Sequence, residues 1–295
     1  MANLKDISRQ IKSVKGTAKT TKAMKLVSSA KLRRTQVLAD AARAYSAKIN
    51  EVLNEIATKV SAIHGDNEDL SRAFKTINNV KTVDLVFVTA DKGLCGGFNM
   101  ATIKEVIKLR EEYINKGAEV RLRAVGRKGI DYFNFQEIEL LNRELGLSSA
   151  PSYEKASEFI VKTYEDFNNG KTDKVILIHN GFVNMLTQEL RTNTLLPISM
   201  SEHKDTGSSA IDVEPEDNEE EVLEGLASKF VEFNMYYSLV DSLSAEHSAR
   251  MQAMDAATNN ANERVDSLTV EFNKARQAAI TTELIEIISG VESMK

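Results

Sequence analysis

The sequence predicts an α/β protein with long helices, in which an antiparallel coiled coil of the N- and C-terminal helices accompanies an α/β domain with a mostly parallel sheet. Apolar or small residues recur at steps of three and four along 3–63 and again along 219–290. Between these segments the pattern changes to short β-branched runs alternating with helical stretches, which is typical of parallel βαβ units. All three prolines lie between residues 151 and 215, so long helices can form at both ends.

The N-terminal segment predicts the first long helix, with a stop at Gly65-Asp66-Asn67. Its seam is large and apolar at both ends and small or polar in the middle, which allows close approach but weakens pairing there. The seam positions are Leu4, Ile7, Ile11, Val14, Ala18, Thr21, Lys25, Ser28, Leu32, Thr35, Ala39, Ala42, Ser46, Ile49, Leu53, Ile56, Val60 and Ile63.

This first helix is also strongly basic, because its first 45 residues carry eleven Lys and Arg against two Asp. Lys12, Lys15, Lys19 and Lys22 each follow a seam position by one residue, so they form a stripe beside the seam. One interpretation is a solvated helix face, and the other is a surface for an acidic partner. Nucleic acid is the less favoured partner, since no aromatic residues interleave with these lysines for base stacking.

The middle of the chain predicts the sheet. A glycine-rich turn, a short loop or a helix follows each strand, and 199–217 is a polar loop that ends in an acidic run. The expected strands are 82–89, 120–125, 174–180 and, antiparallel at an edge, 188–196; the expected helices are 99–115 and 153–168.

The C-terminal segment predicts the second long helix, which must pair with another helix or enter a partner, because no compact domain can bury its whole length. The division of the chain is therefore expected at 1–65, 66–218 and 219–295. The seam positions are Leu226, Phe230, Phe233, Tyr237, Val240, Ser244, His247, Met251, Met254, Thr258, Ala261, Val265, Leu268, Phe272, Ala275 and Ala279.

Motifs for catalysis or cofactor binding are not evident. Gly93, Gly96 and Gly97 follow the first strand, but their spacing fits neither the dinucleotide fingerprint nor the P-loop, so we interpret them as a tight turn that needs glycine dihedrals. The run 126–129 has the same interpretation. Cys95 is expected to be an ordinary buried thiol. The four histidines have no metal-ligand spacing, and neither paired catalytic carboxylates nor a nucleophile with a base is recognisable.

Four blocks of the chain resemble the gamma subunit of F-type ATP synthases, in the bacterial form. They span both ends and the middle in the order found in that family, with Val291 after Gly290 as a minor departure. The blocks are Ile11-Lys12-Ser13-Val14 with 20–27, 89–99, 248–260 and 273–290.

The resemblance implies a central rotor stalk that transmits torque between the membrane-embedded c-ring and the alpha/beta hexamer, and so couples proton transport to ATP synthesis or hydrolysis. It implies a coiled coil inside the hexamer, and a Rossmann-like domain against the epsilon subunit and the c-ring. No active site, cofactor or metal is implied. The expected location is the cytoplasmic face of the bacterial inner membrane, as a peripheral subunit.

The resemblance also assigns partner contacts to particular residues. Met24 lies near an acidic loop of a beta subunit, and a polar region that engages beta-subunit loops contains Arg250, Thr258 and Asn259. The C-terminal positions that couple rotation to catalysis are Arg276, Gln277, Thr281, Glu283 and Glu286. Two alternatives remain: a nucleotide-binding α/β enzyme, and a free-standing coiled-coil scaffold whose seams pair between chains.

Overall fold

The computed structural model describes residues 4–64, 71–75, 77–198 and 219–293, with side-chain surroundings outside 54–64 and 219–222. The helices are Leu4–His64 (α1), Phe98–Asn115 (α2), Arg127–Phe135 (α3), Tyr153–Asn168 (α4) and Glu219–Glu292 (α5). The strands are Thr82–Val88 (β1), Glu119–Val125 (β2), Asn142–Glu144 (β3), Lys174–Phe182 (β4) and Gln188–Leu196 (β5).

The chain divides into two compact units. The first, here the coil unit, comprises Met1–Ser29 and Arg250–Lys295; the second, here the sheet unit, comprises Ala30–Ala249. The expected fold class is confirmed, because both terminal helices are long and the sheet between them is mostly parallel. The division at residues 65 and 218 stays a prediction. The expected loop 199–217, the helix stop at 65–67 and the side chains of Ile56, Val60 and Ile63 lie outside the described residues.

Within the described part of the sheet unit, five strands form one sheet in the order β3-β2-β1-β4-β5. The first four are parallel to one another, and β5 is antiparallel to β4, as the sequence predicts for that edge. The strands β1 and β4 are buried almost throughout, which explains why they read as continuous apolar runs.

The two faces of the sheet bury different helices. On one face Phe87 packs its ring 5.1 Å from that of Phe133 on α3, and Ile103 and Val106 of α2 complete the layer. On the other face the side chains of β1 and β4 join those of α4 and of the first half of α5. The alternation along β1 thus places successive residues in two separate cores.

The first half of α5 buries more of its surface than one seam predicts. Its most buried positions form a second stripe beside the expected seam, and this stripe joins the core under the sheet: Leu223, Ala227, Val231, Met235 and Leu239. The expected seam of this half faces α1 instead, where Phe233 lies 4.3 Å from Tyr45, ring centre to ring centre. From Asp241 to Ala249 every residue is buried.

The coil unit pairs α1 with α5 in antiparallel orientation. Thr21 and Thr258 are in contact, and one turn further along α1 Lys25 contacts Asp255, one turn earlier on α5. The predicted seam is confirmed here, since its positions from Leu4 to Ser28 and from Met254 to Ala279 are buried or half-buried. Beyond Ala279, the described residues of α5 are exposed.

Of the helices and strands given above, α3 and β3 were not expected from the sequence. The stretch Gly126-Arg127-Lys128-Gly129 reads as a turn because of its two glycines, but α3 begins at Arg127 and contains Gly129. Gly126 has φ +95°, and a Cβ there would lie 1.9 Å from the carbonyl oxygen of Thr89. These glycines therefore serve close packing of α3 on β1, which the sequence pattern does not distinguish from a turn.

Candidate functional site

Near residues 21–25 of α1, the helix pair of the coil unit is polar. The hydroxyl oxygens of Thr21 and Thr258 lie 2.7 Å apart, and Lys25 Nζ donates to Asp255 Oδ1 at 2.6 Å. Both members of the ion pair are more than a third exposed, so the pair adds little stability, but it fixes the register of the two helices. Sequence reasoning placed Lys25 on the seam without identifying its partner.

Six threonine hydroxyls in the coil unit donate a hydrogen bond within their own helix. Each donates to the carbonyl oxygen four residues earlier, at 2.7 to 3.3 Å, a bond that competes with solvent and partners for the hydroxyl proton. The residues are Thr17, Thr20, Thr258, Thr269, Thr281 and Thr282.

The basic stripe predicted on α1 is exposed. Lys12, Lys15, Lys19 and Lys22 all face solvent beside the buried seam, which leaves both interpretations of the stripe, a solvated face and a surface for an acidic partner, compatible with the structure. Met24, two residues beyond the stripe, is half-buried beside Lys25.

The residues that the resemblance assigns to partner contacts on α5 fall into two groups. In the first, Arg250 is only 8% exposed, Thr258 is half-buried against Thr21, and Asn259 is exposed. Most of the surface of Arg250 is therefore covered by other residues of this chain. In the second group all side chains are exposed: Arg276, Gln277, Thr281, Glu283 and Glu286.

An exposed apolar stripe accompanies the second group. Its members lie on one face of α5, at steps of four, three and four with Ile288 directly after Ile287, and they are 48–63% exposed: Ile280, Leu284, Ile287, Ile288 and Val291. Contiguous apolar surface of this kind is typical of an interaction site. The seam predicted from the sequence ends at Ala279. The stripe begins at the next residue and was therefore not identified from the seam.

The carboxyl edge of the parallel sheet is where nucleotides bind in many α/β folds, and here a side chain of the protein occupies it. Asp91 follows β1 and accepts hydrogen bonds from the backbone nitrogens of Arg127, at 3.1 Å, and Gly146, at 3.3 Å. Its second oxygen accepts from Ser149 Oγ at 2.6 Å. Burial opposes ionisation of Asp91, but these hydrogen bonds outweigh it and lower the pKa of the carboxyl.

The glycine-rich turn after β1 requires glycine at one position. Gly96 has φ +59°, whereas Gly97 has ordinary helical dihedrals and caps α2, and Gly93 lies outside the left-handed region. Leu94 takes the other left-handed position of the turn. The dihedral interpretation thus holds for Gly96 but is wrong for Gly93 and Gly97. Cys95 is buried, as expected, and its Sγ accepts a hydrogen bond from Asn99.

Within the described residues, no group of three or more His, Cys, Asp or Glu side chains is arranged to hold a metal ion. In the same part of the chain, no helix is both long and apolar enough to cross a membrane.

Comparison with known proteins matches the whole chain to one family. The sequence model of the family described as ATP synthase matches residues 3–294. The ATP synthase gamma chain of Aliarcobacter butzleri is 61% identical over 296 residues, and that of Nitratiruptor sp. is 59% identical over 301 residues; each alignment covers both chains in full.

Solved structures show the same fold at low identity. The central stalk and c-ring structure of the Tetrahymena thermophila mitochondrial ATP synthase contains a chain with a TM-score of 0.60 and 23% identity, covering 81% of this chain and 99% of that chain. A chain of the Euglena gracilis mitochondrial ATP synthase rotor gives a TM-score of 0.64 at 14% identity, covering 94% and 98%.

Proposed function

The chain belongs to the ATP synthase gamma chain family, and we propose that it is the central rotor stalk subunit of an F-type ATP synthase. It transmits torque between the proton-driven c-ring and the catalytic alpha/beta hexamer, and so couples proton transport to ATP synthesis or hydrolysis. The observation that carries this proposal is the antiparallel helix pair of the coil unit, which has polar contacts near Thr21 and Lys25 and an exposed apolar stripe on α5.

The polar contacts of this helix pair suit a shaft that turns inside its partner. A large apolar interface would hold one orientation strongly, because burial of apolar surface is favourable in proportion to its area. Thr21, Thr258 and the Lys25–Asp255 pair instead hold the two helices to each other with polar contacts. We assign the surroundings of Met24 and the basic stripe to acidic loops of the beta subunits.

The C-terminal apolar stripe suits the opposite task, which is to seat one end of the shaft. Leu284 and Ile287 are 54% and 63% exposed, and water contact with such side chains is unfavourable. We assign this stripe to an apolar collar of the alpha/beta hexamer. The exposed polar side chains beside it, including Arg276 and Glu283, contact the hexamer when rotation is coupled to catalysis.

The same seams argue against a free-standing scaffold. A scaffold would use its seams to pair two chains, whereas here α1 pairs with α5 of the same chain, at Thr21–Thr258 in the coil unit and at Tyr45–Phe233 in the sheet unit. The sheet unit then remains for the epsilon subunit and the c-ring. This assignment makes the chain a peripheral subunit at the cytoplasmic face of the bacterial inner membrane.

The subunit itself is non-catalytic in this proposal. Asp91 places a carboxylate where a bound phosphate would otherwise accept hydrogen bonds from the start of α3, and a second negative charge there would be repelled. This geometry supports the interpretation that the Rossmann-like sheet of this chain does not bind nucleotide, and it disfavours the enzyme alternative.

The test is assembly with purified alpha and beta subunits of a closely related bacterium. The chain should join the hexamer as a single copy, stimulate its ATP hydrolysis and, with epsilon and the membrane sector added, support ATP-driven proton pumping. Isothermal titration of the chain alone with ATP should give no binding. A micromolar ATP site on the isolated chain would overturn the non-catalytic assignment.

One substitution tests how the hexamer is engaged. Ile287→Asn should weaken retention of the chain by the hexamer, because it places an amide in the apolar stripe. Val37→Asn is the matched control, since Val37 is 70% exposed on α1 in the sheet unit and belongs to another surface. Equal retention of both variants would contradict the assignment of the stripe to the hexamer.

A further inference from the structure

We propose that Asp241 is the centre of a rigid joint that fixes the sheet to the two long helices and carries the torsional load between them. This inference rests on the proposed function, because a joint bears load only in a rotor. It assigns a positioning role in torque transmission to a cluster of polar groups within the sheet unit, centred on the fully buried carboxylate of Asp241. The cluster consists of Arg43 on α1, His179, Phe182 and Arg191 on β4 and β5, and Tyr237 and Asp241 on α5.

The carboxylate of Asp241 is fully buried and accepts hydrogen bonds from both strands of the edge hairpin. Arg191 Nη1 of β5 donates to Oδ2 at 2.6 Å, and His179 Nε2 of β4 lies 3.2 Å from the same oxygen. The backbone nitrogen of Phe182, the last residue of β4, donates to Oδ1 at 3.2 Å. A single α5 side chain therefore holds the hairpin at three points.

The helix α1 joins the same cluster through Arg43. Its Nη2 lies 4.0 Å from Asp241 Oδ1 and donates to the carbonyl oxygen of Phe182 at 3.5 Å. Tyr237, one turn before Asp241, accepts hydrogen bonds from Arg43 Nε at 3.3 Å and from Arg191 Nη1 at 3.2 Å. Both arginines are thus shared between the same two side chains of α5.

The path of Arg191 depends on a glycine in the neighbouring strand. A Cβ at Gly181 would lie 2.4 Å from Arg191 Nε and 2.5 Å from its Cζ, so the guanidinium lies directly on the backbone of β4. This close approach leaves the arginine little freedom to follow a rotating helix while keeping its bond to Asp241. The joint is therefore stiff on the strand side as well as on the helix side.

His179 contributes the contact from β4. Its ring is fully buried, its Nε2 lies 3.2 Å from Asp241 Oδ2, and its Nδ1 has no hydrogen-bond partner. The Asp241 carboxylate is thus the hydrogen-bond partner of this buried ring, and His179 completes the shell around the carboxylate.

Directional bonds at this point matter because the longest contact of α5 with the sheet core is apolar. The stripe from Leu223 to Leu239 provides burial, but apolar attraction has no preferred direction and resists sliding only through shape. Other polar contacts of α5 in the sheet unit lie at Glu232, with α4, and at Ser248, with the edge hairpin. Hydrogen bonds to a buried charge weaken steeply when their angle changes. Rotation of α5 relative to the edge hairpin must therefore break the Asp241 bonds.

The experiment measures torsional stiffness in the assembled complex by single-molecule rotation. A bead is attached through a cysteine, in a Cys95→Ser background, either at Thr192→Cys on β5 or at Asp40→Cys on α1; both native residues are exposed. With the bead on Thr192→Cys, torque between bead and hexamer must pass through the joint. With the bead on Asp40→Cys, the torque reaches the hexamer along α1 without passing through the joint. Asp241→Asn should increase the angular fluctuations of a stalled complex with the Thr192 bead and leave those with the Asp40 bead unchanged.

Bulk assays with matched variants complete the test. Asp241→Asn should retain ATP hydrolysis in detergent but lose proton pumping against an imposed proton gradient. Asp84→Asn is the matched control, because Asp84 is equally buried and paired with Arg121 and Arg123, but these contacts lie within the sheet. If Asp241→Asn does not assemble, Tyr237→Phe removes one hydroxyl from the cluster and should show the same effect to a smaller degree.

The outcomes separate the two proposals. A wild-type complex that assembles with this chain but does not pump protons would refute the proposed function. Normal pumping by the wild type, together with stiffness and pumping in Asp241→Asn and Tyr237→Phe equal to those of Asp84→Asn, would refute the joint alone. Softening with both bead positions would also refute it, because the change would then reflect general loosening of the sheet unit.

Discussion

Substitution of glycine by alanine at three positions near the carboxyl edge of the sheet should give three different losses of stability. Gly126 combines φ +95° with a Cβ site 1.9 Å from the carbonyl oxygen of Thr89. A non-glycine residue in such a conformation costs about 1–3 kcal/mol. Displacing the neighbouring backbone adds about 1–3 kcal/mol. Gly126→Ala should therefore lower the free energy of unfolding by several kcal/mol, a large fraction of the roughly 5–15 kcal/mol available.

The other two glycines should lose less stability than Gly126 when they are replaced by alanine. Gly96→Ala meets only the dihedral cost of φ +59°, so the expected loss is about 1 kcal/mol. Gly97 has φ −80°, and nothing lies within 4 Å of its Cβ site, so Gly97→Ala should be neutral within about 0.5 kcal/mol. The expected order of destabilisation is thus Gly126, Gly96, Gly97.

The assay is urea titration with amide hydrogen exchange read at β1 and β2, which reports the sheet unit independently of the helix pair. Equal losses for Gly126→Ala and Gly97→Ala would refute the argument from close packing. A larger loss for Gly97→Ala than for Gly96→Ala would show that the turn is constrained by contacts rather than by dihedrals.

Three further predictions concern the helix pair and the sheet edge. Thr21→Cys with Thr258→Cys, in a Cys95→Ser background, should crosslink within one chain on mild oxidation; crosslinks found only between chains on gel electrophoresis would contradict antiparallel pairing. Met24→Lys adds a cation beside the basic stripe and should lower the number of protons pumped per ATP hydrolysed more than it lowers assembly; an unchanged ratio would count against contact with an acidic loop. The depressed pKa of Asp91 contributes stability that is present above its unfolded pKa of about 3.9 and is lost as pH falls through the folded pKa. Asp91→Asn should therefore be less stable than wild type at neutral pH, with a difference that narrows in acid denaturation curves below about pH 4; a constant difference would exclude this linkage.

The sequence was sufficient for the elements whose burial follows one period. The seam of α1 from Leu4 to Leu53 is buried or half-buried at each expected position, and α4 has the predicted bounds Tyr153–Asn168. Local patterns succeed here because each side chain meets a single neighbouring layer. The edge strand β5 was also predicted with its direction and its bounds.

Features that depend on contacts distant in sequence were not predicted. The first half of α5 faces both α1 and the sheet core, so its second stripe at Val231 and Met235 is hidden within a broadly apolar pattern. The Asp241 cluster joins α5 to residues that lie 46 or more positions earlier in the chain, and no motif marks such a set. The helix α3 was missed because Gly126 and Gly129 have the composition of a turn but serve close packing.

The self-satisfied threonines of the coil unit have a consequence for friction. A hydroxyl that has already donated its proton to its own helix, as at Thr269, Thr281 and Thr282, offers a surrounding wall an acceptor but no spare donor. Wall carbonyls and carboxylates that pass such a hydroxyl therefore form no new hydrogen bond that must later be broken. Rotation past these threonines therefore meets a smoother energy profile than rotation past free serine hydroxyls, and it dissipates less of each turn as heat.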